Sequence, residues 1–236
     1  RRFSDPNDRR VIYSSPLVDV AANMELARET IDACLLILEH TNWQIRLLSK
    51  SALLPVIAAG IPAEYKARMI FGVSTGTLDD KLAAAFEQGA ALVSKRIASI
   101  RLLQDDGWRT FGMVCPSLPK KGHDYDEFAR AMADALRIDR MEHLWAEVIN
   151  VRGESMVRTR EALKAARFPS EAAMIEAVAA DKGEWETYAR KTFEAHVRVA
   201  AKGKLRFLQY VTPDTLAWWS SRASDGAVLL GKLAHG

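Results

Sequence analysis

Cysteine is scarce in this chain. Cys34 and Cys115 are the two among 236 residues, too few for a disulfide framework and in keeping with a reducing cytoplasm. No apolar run approaches the roughly 20 residues that span a bilayer, and no signal peptide opens the chain, so no membrane partner is expected. Charge of one sign is not in excess either: the formal net charge is +3, too small to announce nucleic acid by itself. The Walker lysine loop, GxGxxG, HExxH and GxSxG are all missing. His40, His123, His143, His196 and His235 show no metal-ligand spacing, which argues against a protein zinc site. Repeats and low-complexity tracts are absent, and nothing in the sequence sets an oligomeric state.

What is present is an ordinary globular composition, 49% apolar and 27% charged, which excludes a disordered or collagen-like chain. The length suits one large domain, or one domain with an appendage. The chain opens on Arg1 rather than methionine, which fits an upstream segment.

Short β-like runs alternate with helical stretches over the first two thirds. Val11 and its neighbours from Arg10 to Ser15 read as a strand stopped by Pro16, and Asn23 caps a helix carrying Ala27, Ile31, Leu35 and Leu38. Further strands are expected at Trp43–Leu48, Arg68–Ser74, Trp108–Cys115 (ended by Pro116) and Leu144–Val151. Helices fall between them: a short one ending near Gly60, one opened by Thr77 with Asp80, one over Ile97–Asp106, and one capped by Asp124 with Glu127. This alternation calls for parallel strands with right-handed crossovers, an α/β partial (β/α) barrel, with both strand faces covered. Residues 1–151 form that unit. Residues 152–236 read as a mainly helical extension with helices at Val157–Ala166, Ser170–Ala180, Glu184–Lys202 and Pro213–Ser221. One candidate strand lies there, at Leu205–Val211.

In parallel α/β folds ligands lie beyond the carboxyl ends of the strands. Those ends carry Ser14, Ser15 and Asp19; Ser49, Lys50 and Ser51; Ser74, Thr75 and Thr77; Cys115 and Ser117; and Glu147, Asn150 and Arg152. Such a hydroxyl-rich rim suits a zwitterionic or phosphorylated ligand, with Lys50 as a point charge and Arg152 as a planar fork. The plainer reading of each hydroxyl is a helix cap. Cys34 falls on the apolar side of its helix as a core residue, whereas Cys115 is either a reactive thiol or a buried inert one.

The wording of the strand ends resembles a known group. Leu48 to Leu53 (LSKSAL) looks like the threonine/serine-lysine-serine motif that ends a middle barrel strand in radical S-adenosylmethionine enzymes of the spore photoproduct lyase type. Gly72 to Leu82 (GVSTGTLDDKL), Ala85 to Glu87, Ser94 to Leu103, Gly107 to Pro119 and Ser15 to Asp19 resemble its neighbouring segments in the same order. The resemblance covers roughly residues 11 to 119. It implies a partial barrel that binds S-adenosylmethionine beside a 4Fe-4S cluster and generates a 5′-deoxyadenosyl radical to abstract hydrogen from a substrate, with nucleic acid or a nucleotide-like molecule as candidates. It implies cofactor-binding roles for Lys50, Ser49, Ser14 and Ser74, and a hydrogen-donor role for Cys115; Asn150 and Arg152 are the candidate substrate contacts. The family's C-x3-C-x2-C cluster loop, needed to hold three irons, has no counterpart here, and an upstream segment is expected to carry it.

Two other readings stand beside this one: a cluster-free barrel that binds a ligand or serves as a partner subunit, and an aldolase or isomerase using Lys50 as a Schiff-base lysine. For nucleic acid the available groups are Lys95, Arg96, Arg101, Lys202, Lys204 and Arg206, with Trp218 and Trp219 to stack on bases. Solvated helix faces and packed tryptophans account for the same residues more simply.

Overall fold

The computed structural model describes residues 5, 7–13, 18–121, 124–150 and 154–231. Seven strands form one sheet: β1 (Val11–Tyr13), β2 (Gln44–Ser49), β3 (Met69–Ser74), β4 (Arg109–Ser117), β5 (His143–Val148), β6 (Leu205–Tyr210) and β7 (Ala227–Leu230). Their order is β1-β2-β3-β4-β5-β6-β7 and every neighbouring pair is parallel. Among the described residues nine α-helices connect or follow them: α1 (Met24–His40), α2 (Leu54–Ala59), α3 (Asp80–Phe86), α4 (Val93–Asp105), α5 (Asp124–Leu136), α6 (Ser155–Ala165), α7 (Pro169–Ala180), α8 (Lys182–Val199) and α9 (Pro213–Ser220). Each strand lies beside its predecessor, always advancing the same way. Right-handed crossovers then put the helices on one side of the sheet. The result is a curled half-barrel with a helix-covered outer face and an open inner one.

Side chains alternate between the two faces of a strand. Ile45, Phe71, Val114, Ala146 and Phe207 belong to the helix-packed core. The opposite phase, including Arg46, Ile70, Phe111, Trp145 and Arg206, turns inward and stands outside that core. The expectation of strands covered on both faces therefore needs correction. Only β3 is buried along its whole length, while β2, β5 and β6 alternate buried and half-buried residues. A closed barrel would fill the concavity with side chains from the far wall; a half-barrel leaves it open.

Local chemistry explains most element ends. Asn23 accepts the Leu26 N–H at 2.9 Å and caps α1, which buries Ala27, Cys34 and Leu38. α3 is capped by Asp79 and not by Thr77: the Asp79 carboxylate accepts from the Lys81 and Leu82 N–H groups at 2.8 and 3.2 Å. The Thr77 hydroxyl instead accepts the Asp79 N–H at 3.1 Å, in the turn ahead of the helix, and Gly76 before it passes so close to β4 that a Cβ there would lie 1.9 Å from the Pro116 carbonyl oxygen. Pro116 does not end β4 either, since the strand runs on to Ser117. The ladder to β5 shifts register between Val114 and Ser117, and a residue with no N–H is tolerated at such an irregularity. α4 starts at Val93, four residues before the expected Ile97, and Asp124 lies within the first turn of α5.

Past residue 152 the chain adds helices, the expected β6, and an unexpected strand, β7. Its four residues are too few to show a period. Gly226 (φ 109°) leads into it, where a Cβ would meet the Leu205 carbonyl oxygen at 2.6 Å. Phe207 of β6 stacks on Trp219 of α9 with ring centroids 5.8 Å apart, and Phe193 of α8 meets Phe207 edge-on at 5.3 Å. Each such buried ring contributes roughly 1.5–3 kcal/mol. Among the described residues no helix is long and apolar enough to cross a membrane.

Candidate functional site

The carboxyl ends of β2, β3, β4 and β5 make a rim held by polar contacts. Asp19, in the loop before α1, accepts the Ser49 hydroxyl at 2.6 Å, the Lys50 N–H at 2.7 Å and the Ala21 N–H at 3.0 Å. The Ser49 oxygen in turn accepts the Ser51 N–H at 2.9 Å. Both bonding capacities of Ser49 are thus engaged in shaping the turn, and its side chain is buried.

Lys50 follows the end of β2. Its Nζ lies 2.6 Å from Glu87 Oε1, and Arg96 Nη2 lies 2.7 Å from the other oxygen, Oε2. These are ion-pair contacts; the angles at the two Glu87 oxygens are not those of good hydrogen bonds. The Glu87 and Arg96 side chains are only 3% and 1% exposed, while Lys50 retains 36%. Arg96 also donates to the Ala91 carbonyl at 2.8 Å and to the Ser74 carbonyl at 2.9 Å. Two cations flank the Glu87 carboxylate, with Asp19 and Glu147 as further acids of the rim. Since Arg96 is enclosed, the cation of this group that reaches solvent is the Lys50 ammonium.

Ser74 is buried, with its hydroxyl 3.4 Å from the Cys115 carbonyl. The Cys115 thiol donates to Glu147 Oε2 at 3.6 Å. Burial, then the Glu147 carboxylate, push that thiol up to about 12, while the Lys50 charge pulls the other way. Burial likewise raises Glu147, against the thiol hydrogen bond that lowers it. Cys115 is therefore a protonated thiol at neutral pH, so the inert and the hydrogen-donating readings fit it better than a thiolate nucleophile. The strand ends that carry this pair are tied together by Tyr188 of α8, whose hydroxyl donates to the Ser117 carbonyl and accepts the Ile149 N–H at 2.9 Å.

The structure thus brings Lys50, Ser49, Ser74 and Cys115 to one rim, with Glu147 beside them. Asn150 follows β5, and its carbonyl accepts the Ser155 hydroxyl at 3.4 Å. Ser14 and Arg152 lie outside the described residues. The sequence does not point to Glu87 as a partner of Lys50, and it offers Arg96 only as a candidate nucleic-acid group, because an acidic helix end and a basic helix residue look like solvated surface in one dimension. A Schiff-base role suits Lys50 poorly: it is ion-paired and more than a third exposed, whereas that chemistry needs a dry, unpaired amine.

The candidate nucleic-acid residues are mostly occupied. Arg101 donates to the Ala135 and Asp134 carbonyls at 2.8 and 3.1 Å, and Lys204 to the Ile138 and Asp139 carbonyls at 3.2 and 2.6 Å. Trp219 is wholly buried, and Trp218 is sandwiched by Arg190 and Arg222 at 4.4 and 5.0 Å. A separate cleft, lined by Lys120, Tyr125, Glu184, Tyr188 and Lys191, contains none of the rim residues.

No family model matches the sequence, and no curated protein matches it. Among solved structures the chain is similar to a spore photoproduct lyase carrying a cysteine-to-serine substitution, with 15% identity and a TM-score of 0.50. The likeness is one of fold. It covers 67% of this chain and 46% of that one, so this chain spans less than half the length of the structure it matches. The relation is distant and structural, and it agrees with the partial barrel that the strand-end motifs implied.

Residues for a 4Fe-4S cluster are a separate question. Cys34 is enclosed in the outer core and Cys115 is bonded to Glu147, so these two thiols do not converge. Among the described residues no group of three His, Cys, Asp or Glu side chains is placed to hold a metal. The cysteines of this chain do not fit the cluster.

Proposed function

We propose that this half-barrel is the ligand-binding portion of a radical S-adenosylmethionine enzyme of the lyase type, with the ligand's methionyl carboxylate on Lys50. The observation that carries the reading is the Lys50–Glu87–Arg96 arrangement, which holds a solvent-reaching ammonium at the carboxyl ends of parallel strands. The resemblance of the strand-end motifs and the distant likeness of fold support it. S-adenosylmethionine is the source of hydrogen-abstraction chemistry in enzymes of this kind. Here the residues' own part is to hold and orient: the ammonium of Lys50 pairs with a carboxylate, while Asp19 and Ser49 fix the turn that carries it. The protonated Cys115 thiol, kept neutral by burial and by Glu147, suits hydrogen donation rather than nucleophilic attack.

A cluster would have to be held by thiolates other than Cys34 and Cys115. That favours a second reading, in which the barrel binds an adenosyl ligand without redox chemistry. Calorimetric titration with S-adenosylmethionine tests what both share. Binding is expected to weaken about tenfold or more in Lys50→Ala, as for loss of one charge-assisted contact. Unchanged affinity in a folded variant removes Lys50 from the site. Iron and sulfide reconstitution of the full-length protein then separates the two readings, since only the first requires a cluster held by thiolates other than Cys34 and Cys115.

A further inference from the structure

The inner face of the sheet also holds an arrangement that the rim does not use. On its lower half, toward the strand starts, Arg46 of β2 stacks over the Phe111 ring of β4 at 5.0 Å and faces the Trp145 ring of β5 at 6.0 Å. Phe111 can lie there because its register partner is Gly72, where a Cβ would strike the ring at 2.3 Å. His143 is paired with Phe111 across the next ladder, and Arg206 with Trp145 across the one after. These residues form one continuous floor spanning β2 to β6.

The floor has donors without acceptors. Arg46 Nε and Trp145 Nε1 are buried N–H groups with no hydrogen-bond partner among the described residues. The Arg206 guanidinium lies 3.3 Å from His143 Nε2. A guanidinium only donates, so Nε2 accepts and the imidazole proton sits on Nδ1, which is likewise buried and unpartnered. Burial, then the positive charges of Arg206 and Arg46, lower the basicity of His143 and keep it neutral. Charge points the same way. Arg109 is matched by Glu142 and also donates to Gln44 at 2.8 Å and to the Ala67 carbonyl at 2.6 Å. Arg46 and Arg206 have no carboxylate at ion-pair distance among the described residues. Each buried donor left unmade costs on the order of 1–3 kcal/mol, so three on one face, beside two unmatched cations, suit an acceptor-rich anion.

We propose that this floor is a binding site for the oxyanion group, phosphate or carboxylate, of a small ligand, recognised by Arg46, Arg206, His143 and Trp145. The proposal does not rest on S-adenosylmethionine at the rim. The half-buried Trp145 ring supplies a flat wall for an apolar or aromatic body attached to that group, and the buried Phe111 ring seats Arg46 as the bidentate fork.

The probes are inorganic pyrophosphate and succinate, titrated separately at constant ionic strength. The readout is the indole N–H resonance of Trp145, assigned by its loss in Trp145→Phe. One of the two anions is expected to move that resonance downfield with saturation, and the tighter of them names the group. Arg46→Gln is expected to weaken the titration about tenfold or more, and Trp145→Phe, which keeps the aromatic wall, to weaken calorimetric binding by a smaller factor. A resonance that moves with neither anion, or a titration unchanged in folded Arg46→Gln, overturns the proposal. Because neither probe carries an adenosyl group and Lys50 is untouched, the outcome is independent of the rim.

Discussion

The rim and the floor of this half-barrel are built from similar side chains and end in opposite states. At the rim, Glu87 is held between two cations and Asp19 receives three donors, so the polar groups satisfy one another and hold the turns in place. At the floor, Arg46, Trp145 and His143 present donors that no described residue receives. The contrast separates polar groups that organise the fold from polar groups oriented toward an occupant. The Ser49 hydroxyl belongs with the first kind, since it donates to Asp19 and accepts from the Ser51 N–H.

The sharpest way to break this comparison is at Arg96. Arg96→Ala leaves the Glu87 carboxylate enclosed with Lys50 alone, which is expected to cost about 3–5 kcal/mol. The melting temperature should fall on the order of 10 °C for a chain of this size. If Arg96 organises the rim, the double variant Arg96→Met with Glu87→Leu recovers most of that loss; a melting temperature unchanged in Arg96→Ala would put the rim in the same class as the floor.

A smaller effect is expected at the floor. Gly72→Ala drives a methyl group into the Phe111 ring and should destabilise by about 1–3 kcal/mol in a denaturant titration. Displacing Phe111 also removes the ring under Arg46, so pyrophosphate or succinate binding should drop in the same variant. Full retention of both would mean the Phe111 shelf does not position Arg46.

The smallest effect belongs to Glu147, where the two regions meet. Its carboxyl is raised above the ordinary 4.5, chiefly by burial, so the folded state favours the protonated form. Stability from this group is fully present below the unfolded value and is lost as pH rises through the higher folded one. Glu147→Gln should therefore raise the melting temperature slightly at neutral pH and leave it unchanged at acid pH. A variant less stable at neutral pH, with no such pH trend, would show that the ionised carboxylate is a stabilising element of the rim.

Much of the fold was legible in one dimension. Six of the seven strands announce themselves as apolar, β-branched runs between helical stretches, and Asn23 marks the start of α1 by its own side chain. β7 escaped because four residues cannot establish a period, and its pairing with β6 depends on the close passage at Gly226. The end of β4 was misplaced because Pro116 reads as a terminator unless the register shift beside it is known. Of the candidate site, Lys50, Ser74, Cys115 and Glu147 were named from their places at strand ends, and the structure gathers them. Arg46 and Trp145 were passed over, although a period of two was there to be read: His143, Trp145 and Glu147 alternate with Leu144, Ala146 and Val148 along β5.

The amino-acid sequence by itself determined the alternation of strand and helix, and with it the parallel sheet, because hydrophobic period, caps and crossover handedness are local or near-local properties. It determined equally that this chain carries two thiols. Which face of each strand would be left open, and which charges would meet there, was decided only by tertiary structure. Seven strands that always advance in the same direction place their helices on one side, and only the curl of the sheet brings β2, β4, β5 and β6 to bear on a common concavity. The pairing of Lys50 and Arg96 with Glu87, and the lack of a carboxylate at ion-pair distance from Arg46 among the described residues, follow from that geometry, since charge balance depends on distance in space and not along the chain.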